Sequence, residues 1–231
     1  METSLHRQLK TLYAGNDGQC EVCLDEYRID VVRRKRLYEI QHGSLSAIRG
    51  KVLKLLASHR VVVVKPIVVD KQIVHLDGPD GNAVRRRLSP KHGRLVDLFD
   101  ELVYFVGAFP HPRLTLEFPL IVVEETRYPG HGRRRRWREN DFVVADQRLT
   151  QIGETHRARS AGDLWRMLGG PLPSPFDTAE LSRRLDAPRS LAQRIAYCLL
   201  HSGAATQVGK RGNARLYEAR HGTRPPRQKS A

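Results

Sequence analysis

At 231 residues and 40% apolar content, the chain has room for one large domain or two smaller ones, each with a real core. Forty Lys and Arg against 25 Asp and Glu leave a formal charge of +15, which implies an anionic partner, most simply a phosphate backbone. No apolar run approaches the roughly 18 residues of a membrane span and no signal peptide opens the chain, so a cytoplasmic protein without a membrane partner is expected.

The chain begins with a helical stripe of Leu5, Leu9, Leu12 and Tyr13 over residues 2–13. Gly15-Asn16-Asp17-Gly18 breaks it. Strand alternation follows over 20–25 and 27–32, with Ile29 and Val31 opposite Arg28, Asp30 and Val32. The basic run Arg33 to Arg36 reads as a turn, and 37–41 as a third strand. Cys20 and Cys23 form a single C-x2-C on opposite faces of the first strand; with Cys198 they make neither a zinc ribbon nor a disulfide framework. Ser44 is placed to cap a helix carrying Leu45, Ile48, Val52, Leu55 and Leu56. Val61 to Val64 is an unbroken β-branched run, the pattern of a strand buried on both faces. The passage from 37 to 65 therefore predicts a parallel pair joined by a right-handed crossover.

Residues 70–94 read as turn-rich and basic, with Gly78-Pro79-Asp80-Gly81 ahead of Arg85-Arg86-Arg87. A helix over 95–106 and a strand over 114–125 follow, then the exposed loop Arg133, Arg134, Arg135 and Arg136 beside Trp137, a candidate phosphate contact. Pro171, Pro173 and Pro175 mark a linker. Beyond it come a helix capped by Asp177, a second helix over 190–201, and a hairpin around Gly209 to Asn213. Helix, turn, helix and basic hairpin describe a winged helix-turn-helix. In such a unit Arg189, Gln193 and Arg194 are placed for groove contact, and Lys210, Arg211 and Arg215 for phosphate contact. A winged helix used for protein contact is the alternative. The expected organisation is a core over 1–94, a basic α+β extension over 95–170, the winged unit over 171–221 and a basic tail over 222–231.

The chemistry concentrates in the first unit. Burying a carboxylate in an apolar strand is costly without a compensating cation. Glu39 and Gln41 share a face, and a tight turn brings Asp30 opposite them, with Glu21 near enough to join. Asp30, Glu39 and the Ile40 carbonyl can bind a magnesium ion, with water in the remaining positions. The bland alternative is a pair of surface carboxylates bridged to Arg28, Arg33 or Arg36. His42, His59 and His75 show no ligand spacing and read as surface or satisfied residues.

The order Asp30, short turn, Glu39-x-Gln41, helix, strand resembles the PD-(D/E)XK nuclease superfamily over residues 2 to about 68, under a third of the chain. That superfamily includes many restriction enzymes, Holliday-junction resolvases and repair nucleases. The resemblance implies an α/β fold with a restriction-endonuclease-like mixed sheet flanked by helices. It also implies Asp30 and Glu39 as ligands of Mg2+ or Mn2+, and residue 41 in the lysine position. Gln41 departs from the pattern: glutamine can orient a water but supplies no charge. Lys65 is the favoured substitute cation, with Lys51 and Lys54 behind it. The expected function is metal-dependent hydrolysis of phosphodiester bonds in DNA. The alternatives are a non-catalytic DNA-binding protein on the same fold and an RNA-processing nuclease. A homodimer remains open, as do substrate structure and sequence specificity.

Overall fold

The computed structural model describes residues 2–130, 141–170 and 172–220, so the candidate contacts Arg133, Arg134, Arg135 and Arg136 and the tail over 222–231 lie outside the described residues. Helix α1 (Ser4–Ala14) starts at Thr3, whose side chain accepts the His6 N–H, and stops at Gly15, where φ is 54°. Three strands follow as an antiparallel meander: β1 (Gln19–Leu24), β2 (Tyr27–Arg33) and β3 (Arg36–Ile40). The β2–β3 turn consists of Arg34 and Lys35, both at positive φ. That conformation matches a two-residue hairpin but strains side-chain-bearing residues. Asp17 helps hold the turn, accepting from Arg33 Nε at 2.5 Å and Arg34 Nε at 2.8 Å.

A 3-10 turn over Leu45–Ile48 and helix α2 (Arg49–Leu55) lead to β4 (Arg60–Val64), which pairs parallel with β3, Leu37 beside Val61 and Glu39 beside Val63. Val61 and Val63 pack with Leu45, Val52 and Leu55 on one face of the sheet. Val62 and Val64 pack with Leu5 and Leu9 on the other. Cover on both faces explains why the whole run is apolar.

The segment expected to be turns is mostly sheet. β5 (Ile67–Leu76) and β6 (Ala83–Leu88) form a hairpin, and only Asp77 to Asn82 turns. The expected helix over 95–106 is a 3-10 turn, Leu95–Asp97, followed by the short α3 (Leu98–Leu102). β7 (Leu114–Pro129) is longer than expected, and β8 (Phe142–Ala158) had no counterpart in the sequence pattern. β7 pairs with β8 along one edge and with β4 and then β5 along the other. Hence β4 and β5 lie end to end, broken only at Lys65-Pro66, and a division at residue 94 falls within one eight-stranded mixed sheet.

The C-terminal elements are α4 (Asp163–Arg166), α5 (Thr178–Arg184), α6 (Arg189–His201) and the hairpin β9 (Ala205–Arg211) with β10 (Ala214–Ala219). Asp177 and Glu180 form a reciprocal capping box at α5. Phe176 bridges Tyr217, adding a third backbone segment to the hairpin. Leu191, Ile195 and Cys198 of α6 belong to the same apolar cluster as Leu98, Phe99 and Leu102 of α3. Trp165 Nε1 donates to the Ala204 carbonyl at 3.1 Å. Among the described residues no helix is long and apolar enough to cross a membrane.

Candidate active site

The β2–β3 ladder runs from Arg33 opposite Arg36 to Val31 opposite Tyr38 and stops there. Beyond it the Asp30 carboxylate takes the place of a backbone partner, its Oδ2 accepting the Ile40 N–H at 2.7 Å. N–H and C=O of one strand residue point to the same edge, so the Ile40 carbonyl faces this opening too. His6 of α1 brings Nε2 to 3.2 Å from Asp30 Oδ1. Burial alone would raise the Asp30 carboxyl, but the bonds from His6 and Ile40 outweigh it and hold the group below its ordinary value.

Glu39 lies deeper, at 4% exposure. Burial pushes its carboxyl above its ordinary value and the Asp30 charge adds to the rise, with Lys51 opposing. Lys51 Nζ is 2.7 Å from Glu39 Oε1 and donates to the Arg28 carbonyl at 2.5 Å. This ion pair is the contact made by the buried Glu39 Oε1. The two carboxylates thus do not bridge to Arg28, Arg33 or Arg36, the pairing the bland reading required; their neighbours are His6, the Ile40 N–H and Lys51.

The remaining expected members are near but differently engaged. Strand β3 ends at Ile40, one residue short of Gln41; the Gln41 N–H still donates to Val64 O at 2.8 Å, while Nε2 turns to the Ser44 carbonyl at 2.8 Å. Lys65 is buried at the β4–β5 break and donates to the carbonyls of His42 and Gly43 at 2.7 and 2.6 Å. Burial keeps its ammonium below its ordinary pKa. Glu21, at a φ of 58°, is held by Lys10 at 2.6 Å and by Arg28, which keep its carboxyl below its ordinary value. Lys54 lies away from the pair, bonded to Glu26 at 2.9 Å.

An open cleft of about 440 Å³ is lined by His6, Lys10, Glu21, Asp30, Gln41 and His42 among others, whereas Glu39, Lys51 and Lys65 do not line it. His6, Lys10 and His42 did not emerge from the sequence. His42 was expected to be a surface or satisfied residue; instead its Nε2 is buried without a partner, and burial pushes its pKa down to about 4. Its one sequence signal was its place directly after Glu39-x-Gln41. His6 had only its position on the face of α1 that carries Leu5 and Leu9.

In the C-terminal unit, Arg189 and Gln193 are exposed on α6, with Tyr197 and His201 further along the outer face. Arg194 is turned away, its Nη1 2.6 Å from Asp100 of the α3 helix. Lys210 and Arg215 are exposed on the hairpin, whereas Arg211 is tied to Asp177 and Glu180 at 2.6 and 3.0 Å.

Residues 3–159 match the family described as Domain of unknown function (DUF8091), and the chain belongs to that family. The matched segment takes in α1 to β8, the whole large sheet with its acidic site. The chain is 29% identical over 218 residues to an uncharacterized protein of Treponema pallidum (strain Nichols), across 94% of this chain and 84% of the relative. No solved structure matches.

Proposed function

We propose that this family member is a metal-dependent DNA nuclease of the PD-(D/E)XK kind, with a C-terminal winged helix-turn-helix that docks on DNA. The observation that carries this reading is the buried Glu39 carboxylate near Asp30 where β2 and β3 part, its carboxyl raised by burial and by the Asp30 charge. Such a pair gains from a hard divalent cation, which offsets the like charges and the desolvation cost together. Among the described residues no three His, Cys, Asp or Glu side chains form a ready-made metal cluster. On this reading Mg2+ or Mn2+ would be held by Asp30, Glu39, the Ile40 carbonyl and water. When bound, such a cation acidifies water and offsets charge on the phosphate.

The chain's own groups supply the rest. Lys51 places an ammonium group beside Glu39, and Lys65, held by the His42 and Gly43 carbonyls, is the other cation offered for the role that Gln41 cannot fill. Gln41 lines the cleft and can orient a water once its side chain leaves the Ser44 carbonyl. The Phe176–Tyr217 bridge beside β9–β10 supports the winged-helix reading, with Arg189 and Gln193 on the outer face of α6 and Lys210 and Arg215 on the wing.

A second reading, a DNA-binding protein that has lost catalysis, draws on a specific observation: Gln41 faces Ser44 and Lys51 already neutralises Glu39. Cleavage of linear, branched and single-stranded DNA, and of RNA, with Mg2+ or Mn2+ separates the two. Metal-dependent cutting that disappears in Asp30→Ala supports the nuclease and names its nucleic acid. Binding without cutting by either protein sinks the nuclease in favour of the second reading.

A further inference from the structure

Three neighbouring strands place basic residues in one row. His75 of β5 is the register partner of Arg85 on β6 and of Arg127 on β7. Register partners project from the same face, about 4.8 Å apart from strand to strand. Arg87 stands one step along β6 on that face, opposite Ile73.

Counter-charge is sparse on this surface. Glu125, a carboxylate of β7 on this face, is saturated by Lys71, Gln147 and Arg127. Among the described residues Arg85 and Arg87 have no ion-pair partner, although many other arginines do: Arg86 and Arg148 share Glu124, and Arg157 holds Glu117. Arg127 is braced over the Phe142 ring, 3.8 Å from its centroid. His75 Nε2 is buried with no partner.

We infer that Arg85 and Arg87, with Arg127 and His75 set behind them in the same row, form a phosphate-contacting surface that carries the DNA backbone past the acidic cleft. Arginines fixed on strands donate to phosphate oxygens without reading sequence. The placement suits the nuclease reading, on which this inference rests. The first turn of α1 touches both regions: His6 meets Asp30, and two residues earlier the Ser4 N–H donates to Asp146 at 2.8 Å. Asp146 is the register partner of Thr126, next to Arg127. A strand lying along the row thus runs to the same end of α1 that closes the cleft.

The test is fluorescence anisotropy of the full-length protein on a short labelled DNA duplex, between about 50 and 200 mM salt. Arg85→Ala/Arg87→Ala should bind roughly tenfold more weakly on any sequence, with a salt dependence shallower by about two counterions. Arg36→Ala/Arg60→Ala removes the same charge from exposed positions at the opposite end of the strands and should bind like the wild type. Equal loss in the Arg36/Arg60 variant would reduce the effect to net charge and overturn the assignment. Wild-type binding matched by the Arg85/Arg87 variant overturns the assignment while leaving the nuclease reading intact. A wild type that binds no nucleic acid, or prefers poly-glutamate to DNA, overturns both.

Discussion

Glu39 and Asp30 sit side by side but contribute to stability with opposite sign. Glu39 has its carboxyl raised in the folded state, so folding takes up a proton. Its contribution is most favourable below the ordinary glutamate range and is lost as pH rises through the folded value. We expect Glu39→Gln to be more stable than wild type at pH 7 by about 1 kcal/mol, with the gap closing near pH 4, in urea melts at both values. Lys51 would keep the Arg28 carbonyl as its partner. Asp30 is held below its ordinary value, so its contribution is present at neutral pH and lost as pH falls through the folded value. Asp30→Asn should cost about 1–2 kcal/mol at pH 7 and little in acid; a variant as stable as wild type at pH 7 would refute the bonds to His6 and Ile40. Both carboxylates were legible in the sequence because a charge inside an apolar strand is conspicuous. His6 and Lys10 were not, because their role comes from packing α1 on a face of the sheet.

At the scale of elements, legibility tracked burial. The α1 stripe and the Val61–Val64 run stand out because Leu5, Leu9 and the valines are all buried. β8 escaped notice because only Ala158 of its seventeen residues is fully buried, leaving no alternation to read. The β5–β6 hairpin was hidden similarly: its turn residues were conspicuous, while β6 is an exposed, arginine-rich edge that resembles a loop. α1 joins the sheet to the cleft, so its packing matters beyond stability. Leu9, wholly buried against Ile40, Val62 and Val64, should cost about 2–5 kcal/mol when changed to Ala. Chemical denaturation measures this, and a loss below about 1 kcal/mol would mean that α1 is not docked as described.

For the molecule as a whole, the charge of +15 and the helix, three strands, helix, strand order were readable in sequence, whereas the continuity of the sheet was not. A strand distant in sequence, β7, completes it, and such pairings leave no local signal. The core likewise runs from α3 into α6 without a break. We therefore expect thermal unfolding as one transition, with Trp fluorescence and far-UV circular dichroism coinciding. A chain ending at residue 170 would leave Phe99 and Leu102 uncovered and should aggregate. Two separated transitions would instead show that the C-terminal unit folds independently.

The most direct measurement is calorimetric titration of Mn2+ into the full-length protein at neutral pH, beside Asp30→Ala and Glu39→Gln. If the paired carboxylates form a metal site, wild type binds one ion with a Kd on the order of millimolar or tighter, and each variant loses that binding. Absence of binding by wild type, or equal binding by all three proteins, would contradict it.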